Sequence, residues 1–371
     1  MYAAYGVASP FLPAFYASRG VPAAQLGFAL GAATLLRLAM APLAARAADR
    51  LQSLRRVLAA CIAAGSAATL AYTAAGSAAM IALLLLQAAA LAPMTLLADA
   101  LALGHARPRK ASGFEYGWVR GAGSAAFIAG TLAAGQAIAA RGLDAVPWMQ
   151  AALLAVAVAA AFAVPEIAHA ADARGALAVR GAKALLRVPE IAFAVLAAAL
   201  VLGSHAMHDA FAMIRWREAG LAPFLSSVLW SEAVAAEVVV FFLAGPRLVA
   251  RLRPSGAMLV AALAATIRWG VMASTAEPFF LALVQPLHGL TFALLHLACM
   301  RIIAAKAPAG LEATAQAAYV LGAGSASAVL IALSGPLYGR LGASAFWVMA
   351  ALSAAALPVA WNLRRISHKR G

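Results

Sequence analysis

The chain has 371 residues, of which 65% are hydrophobic and only 11% charged, with a mean hydropathy of +0.89. A soluble domain carries about a quarter of its residues charged, so this composition excludes a water-soluble fold and predicts an all-α integral membrane protein. A β-barrel is excluded as well, because the apolar runs are continuous and Ala/Leu-rich rather than alternating.

A membrane-crossing helix needs about 20 apolar residues, and the chain divides into about twelve such segments. They run 1–18, 26–45, 57–74, 79–101, 114–137 and 147–165, then 188–208, 222–244, 257–274, 278–300, 311–333 and 343–363. The first begins at Met1 with no basic stretch before it, so no cleavable leader is expected, and its shortness points to a start further upstream. Of the 28 Lys and Arg residues, 20 fall in alternate loops and the C-terminus, five in the other loops and three within spans. Basic residues accumulate on the cytoplasmic side. The net charge of +15 therefore reports topology, with both termini cytoplasmic in a bacterial-type inner membrane, and no nucleic-acid partner is expected. Cys61 and Cys299 lie singly inside spans without metal-like neighbours and read as structural.

The charge- and glycine-rich stretch 166–187 splits the chain into an N-terminal six-helix bundle (1–165) and a C-terminal one (188–371), with a cytoplasmic central loop between. A weak repeat supports the split. Pro42-Leu-Ala-Ala-Arg46-Ala-Ala-Asp49-Arg50 follows the second span, and Pro246-Arg247-Leu-Val-Ala-Arg251-Leu-Arg253-Pro254 follows the eighth. Parallel repeats of this kind in transporters place the binding site near the bilayer midplane between the halves. Asp49 and Arg50, in a turn flanked by arginines, read as a gating element.

A charge in hydrocarbon costs at least about 2.5–3.5 kcal/mol, so those inside spans should face partners or a wet cavity. The candidates are Arg37, Asp99, Glu115 and Arg120 in the first half. In the second they are His208, Asp209, Glu232, Glu237, Arg268, His288 and His296. Asp99 and Arg120 sit on consecutive spans at similar depth, where an arginine fork can meet a carboxylate. Glu115 lies nearer the loop and is expected to be solvated. His288 and His296 are eight residues apart, close to two helical turns, and with Glu237 and Arg268 from the preceding spans they suggest a proton relay. The alternative for each acid is that it neutralises an arginine to hold helices together. No spacing supports a metal site.

These residues resemble the lactose-permease and phenylpropionate-permease branch of the major facilitator superfamily, nearly end to end. The segment Gly6-Val-Ala-Ser-Pro10-Phe11-Leu-Pro13 is similar to that branch's first helix. Ala48-Asp49-Arg50-Leu with Arg55-Arg56 is similar to the superfamily's loop signature without its glycines. The most specific match is Phe114-Glu115-Tyr116-Gly117-Trp-Val-Arg120, whose arginine contacts substrate in the family while the acid at Asp99 partners it. Arg268 and His288 keep the spacing of the family's coupling pair, and Leu287-His288-Gly289-Leu-Thr291-Phe292 with Gln316 and Tyr319 looks like the phenylpropionate group. Thr291 stands where the family has its proton-carrying glutamate, Phe127 where a tryptophan stacks on sugar, and Gln285 where a lysine is found.

The resemblance implies a major facilitator fold and a secondary transporter, not an enzyme. The expected function is proton-coupled symport of a small organic solute, with an aromatic or other organic acid favoured. Asp99, Arg120 and Phe127 would bind substrate, and Glu237, Arg268, His288, His296 and Asp209 would couple the proton. The driving force would be the proton gradient with no cofactor, and the chain would act as a monomer in the lipid bilayer. Efflux of a drug or metabolite, uptake of a nucleoside or sugar, and a non-transporting membrane sensor are the alternatives.

Overall fold

A computed structural model describes residues 1–106, 116–165, 185, 188–308 and 310–369. Glu115 and most of the central loop lie outside them. The elements are helices throughout: α1 (Tyr2–Ser18), α2 (Ala23–Leu51), α3 (Leu54–Ala71), α4 (Ser77–Leu91), α5 (Met94–Ala106), α6 (Tyr116–Arg141) and α7 (Ala145–Ala163) come first. There follow α8 (Pro189–Gly203), α9 (Ala206–Glu218), α10 (Pro223–Val239), α11 (Gly245–Ser274), α12 (Pro278–Val284), α13 (Leu295–Lys306), α14 (Glu312–Leu341) and α15 (Phe346–Lys369). Two π-helical segments, Val240–Ala244 and Gly289–Leu294, join α10 to α11 and precede α13.

Among the described residues, nine stretches are long and apolar enough to cross a membrane. Two of these, of 52 and 53 residues, would measure close to 80 Å at the helical rise, far beyond a hydrocarbon core of about 30 Å. Each folds back inside itself. Arg253 (φ 62°) breaks the first, and Gly342 (φ 53°) breaks the second.

The turns carry the repeat more sharply than the sequence does. Left-handed backbone occurs at Gly20, Gln52 and Gly142, and again at Gly220, Arg253 and Gly342. Each position recurs close to 200 residues on. Glycine pays little for this conformation, but Gln52 and Arg253 are residues that rarely adopt it. The matching turns expected after the second and eighth spans are therefore present as single-residue reversals.

The spans also end later than their apolar runs predict. Asp49 and Arg50 ride the last turn of α2 instead of occupying a loop, and the turn proper is Gln52 and Ser53. Arg215 and Arg217 fall on α9 instead of in a loop, and Arg215 is buried, donating to the Thr275 carbonyl at 2.9 Å. In both cases the helix continues through charged residues because the long side chains reach polar surroundings while the backbone stays hydrogen-bonded.

By contact the chain forms two compact units, Met1–Asp172 with Gly220–Val228, and Ala173–Ala219 with Leu229–Gly371. In the first, α1 packs on α6 and α7, and α3 on α7. In the second, α8 packs on α14 and α15, and α11 on α15. These are the same pairings one repeat later. Helix association in lipid depends on close van der Waals contact, so small residues line it. A Cβ on Gly6 would stand 2.0 Å from the Phe127 carbonyl oxygen, and one on Gly130 2.2 Å from that of Ala3. The Thr131 hydroxyl bridges the same seam, donating to Gly6 O at 2.9 Å. Cys61 and Cys299 are free thiols, and Cys299 is buried.

Candidate substrate and proton site

In the first unit the expected partners meet. Arg120 Nη1 lies 3.5 Å from Asp99 Oδ2, with Arg120 45% exposed and Asp99 29%. That exposure weakens the pair, because solvated ion pairs contribute about 0–1 kcal/mol. The shorter contact is one the sequence did not suggest. Arg120 Nη1 donates to the Tyr2 hydroxyl at 2.5 Å, and its guanidinium sits 5.7 Å from the centroid of that ring. Tyr2 reaches it because Gly123 has no side chain: a Cβ there would be 2.8 Å from the tyrosine ring. Phe127, two turns beyond Arg120 on α6, is half-buried, and its carbonyl accepts from Thr131 at 3.0 Å. Arg37 is exposed and donates to Thr34 on its own helix.

The second unit holds a buried polar string centred on Arg268, which is fully buried. Its Nη2 donates to Gln285 Oε1 at 2.6 Å and lies 3.3 Å from His208 Nε2. Its Nη1 lies 3.1 Å from His288 Nδ1. Beyond the histidines stand two carboxylates: Glu237 Oε2 is 3.5 Å from His288 Nε2, and Asp209 Oδ1 is 3.3 Å from His208 Nδ1. The order is acid, histidine, arginine, histidine, acid. The acids at the two ends are 30% and 55% exposed.

The chemistry of the groups assigns the protons. Arginine offers only donors, so the ring nitrogen it meets on each histidine must be an acceptor. His288 then carries its proton on Nε2, towards Glu237, and His208 carries its own on Nδ1, towards Asp209. Both rings are neutral donors to carboxylates. Trp269 covers the guanidinium, 4.6 Å from its ring centroid, and Trp230 stacks on His208 at 4.6 Å. Stacked rings of this kind exclude water and strengthen the interactions beneath them.

Of the expected coupling residues, Glu237, Arg268, His288 and Asp209 lie on this string. His296 does not. It contacts Tyr319 (Nδ1 to hydroxyl 3.1 Å) and the ring of Phe241, 5.7 Å away. Both span-10 histidines still address the same neighbouring helix. The π segment between them, Gly289–Leu294, makes this possible, and it packs against the π segment Val240–Ala244. Gly289 permits the approach, since a Cβ there would stand 2.6 Å from the Ala236 carbonyl. π-bulges of this kind often sit at functional sites.

Sequence reasoning undervalued His208 and missed His205. The short break between α8 and α9 puts His205 Nε2 2.9 Å from Thr291 Oγ1. Beside it Trp269 Nε1 donates to Ser204 Oγ at 2.7 Å, and Ser353 Oγ donates to the same oxygen at 2.9 Å. The readable signal was the spacing of His205, His208 and Asp209, which lie within about one helical turn of one another.

Apolar crossing helices, a twofold repeat and buried charges in each half define a polytopic membrane transport protein. The family model described as MFS_1 like family matches residues 1–349, and the chain belongs to that family. A protein of Escherichia coli (strain K12) named as a probable 3-phenylpropionic acid transporter is 38% identical over 160 residues. That match spans 43% of this chain and 41% of the relative. Among solved structures, nucleoside transporter NupG superposes with a TM-score of 0.82 at 17% identity, covering 98% of this chain and 95% of that one. A bacterial homolog of the human lysosomal transporter Spinster gives 0.70 at 14% identity over 98% of this chain and 94% of that one. At these identities the structural likeness shows the fold.

Proposed function

We propose that this chain is a proton:solute symporter of the inner membrane, moving a small organic acid by alternating access. Two six-helix halves, 1–165 and 188–371, with both termini cytoplasmic, would provide the moving parts. The observation that carries the reading is the buried string Glu237–His288–Arg268–His208–Asp209. A fully buried arginine between two neutral histidines and two part-exposed acids is costly as mere helix glue. It is suited to taking up a proton and changing shape. Arg120, held by Tyr2 and Asp99, would receive the substrate's carboxylate, with Phe127 as an apolar neighbour. The printed function of the 38%-identical relative favours an aromatic acid within that class. No cofactor is needed beyond the proton gradient, and a single chain suffices.

Purified protein in liposomes with an acidic exterior tests this. Labelled 3-phenylpropionate should accumulate above equilibrium and be released by a protonophore, while uridine and lactose should not accumulate. Gradient-independent uptake, or accumulation of uridine alone, would overturn the reading.

A further inference from the structure

The second unit contains a histidine that the string from Glu237 to Asp209 does not use. His205 is 5% exposed, and both its ring nitrogens are engaged. Nδ1 lies 3.0 Å from the Val201 carbonyl, which can only accept, so Nδ1 carries a proton. Nε2 lies 2.9 Å from Thr291 Oγ1. Thr291, itself fully buried, has a second partner in the His288 carbonyl at 3.2 Å. Its hydroxyl can therefore point either way.

We propose that His205 is a proton-holding site of this chain, neutral in the arrangement seen and an imidazolium when loaded. In the neutral state the Thr291 hydroxyl donates to Nε2. Loading adds one proton to Nε2, which then donates to Thr291 Oγ1, and the hydroxyl turns to donate to His288 O. Only the hydroxyl hydrogen moves. A buried charge persists only where its polar groups are paired, and here both N–H groups of the charged ring have acceptors already in place. His208 and His288 differ in this respect. Each meets an Arg268 donor, so a second ring proton would oppose an N–H of the guanidinium.

The charges nearby fit one added proton. The titratable groups facing His205 are His288, Arg268, Asp209 and His208. With both histidines neutral, the Arg268 cation faces two carboxylates, Glu237 and Asp209, leaving one negative charge in excess. Protonation of His205 brings the cluster to neutrality. It also reaches the string: the His205 ring meets that of His288 edge-on at 5.3 Å, and its gate, Thr291, hydrogen-bonds the His288 backbone. A charged His205 would press on His288 and weaken its hold on Arg268, which makes loading of one site felt at the other.

The inference rests on the proton-coupled reading, so its test uses a readout that needs no transport. Nitrogen-15 spectra of the histidine rings, recorded in nanodiscs, distinguish one protonated ring nitrogen from two. The His205 signals are assigned by their loss in His205→Asn. Between about pH 8 and about pH 5, the range where histidine ordinarily titrates, His205 should pass from one to two protonated nitrogens. Thr291→Val removes the acceptor and should lower that midpoint by about one pH unit, a tenfold loss of proton affinity. Thr291→Ser should restore it. If His205 keeps one bare nitrogen throughout, or if Thr291→Val leaves the midpoint unchanged, the proposal fails. Gradient-driven uptake by the unaltered protein is measured separately, so a failed site and a failed symporter give different results.

Discussion

Arg268 Nη1 and His288 Nδ1 meet at 3.1 Å, and this contact decides where the histidine keeps its proton. With Nδ1 held as an acceptor, only Nε2 can donate, and it faces Glu237 at 3.5 Å. Glu237 is therefore the end of the string at which a proton can enter without disturbing the arginine. Glu237→Gln should abolish accumulation of substrate driven by a pH gradient while preserving exchange of labelled for unlabelled substrate across the liposome membrane. Concentrative uptake by this variant would move the entry point to Asp209 or His205.

Arg268 binds three side chains from different segments at once, which a planar fork can do and a point charge cannot. Arg268→Ala leaves Gln285 and two histidines without their donor, and should lower stability by about 3–5 kcal/mol, seen as a large fall in the thermal midpoint. Arg268→Lys should fold but lose gradient-driven uptake. A coupled Lys variant would show that only the charge matters.

Arg120 calls for a different expectation. Since both it and Asp99 are partly exposed, Arg120→Lys should cost less than about 1 kcal/mol of stability. Loss of a bidentate contact to the substrate carboxylate should nevertheless weaken binding about tenfold or more. Calorimetric titration with an aromatic acid checks the second figure and thermal unfolding the first. Unchanged binding would reduce Arg120 to a structural contact with Tyr2.

The seam between α1 and α6 has no room for a side chain. Gly130→Val would place Cβ 2.2 Å from the Ala3 carbonyl, forcing the helices apart at about 1–3 kcal/mol or more. Gly121→Val, where a Cβ meets nothing within 4 Å, is the control. Equal thermal midpoints for the two variants would mean the seam is looser than it is drawn here.

Orientation follows from the distribution of basic residues. A C-terminal fusion to an enzyme active only in the periplasm should be silent, and one to a cytoplasmic fluorophore bright. The opposite pattern would invert every loop assignment.

Much of the fold was legible because lipid imposes a simple rule: apolar runs of fixed length with every backbone group paired internally. The pairings Asp99–Arg120 and Arg268–His288 were legible for a related reason, since charges in such runs must find each other. What the sequence hid was local. It gave no warning that α2 would carry Asp49 and Arg50 on its last turn, because the end of an apolar run is not the end of a helix. Nor did it show Tyr2 reaching Arg120, which depends on the missing side chain of Gly123. His205 was overlooked because a lone histidine on an apolar face has no signature until its partner Thr291, 86 residues away, is known.

The π segment Gly289–Leu294 has a consequence for the two histidines that flank it. Along an ideal α-helix, residue 296 would stand about 80° past residue 288 around the axis. The wider turn absorbs one extra residue and takes back about 100° of that rotation. The angular phase between His288 and His296 is thus set by a single inserted residue, not by their spacing in the chain. Deleting Ala293 would let the segment close into a regular helix and swing everything after it around the axis. His296 would leave Phe241 and Tyr319, while His288 would stay beside Glu237.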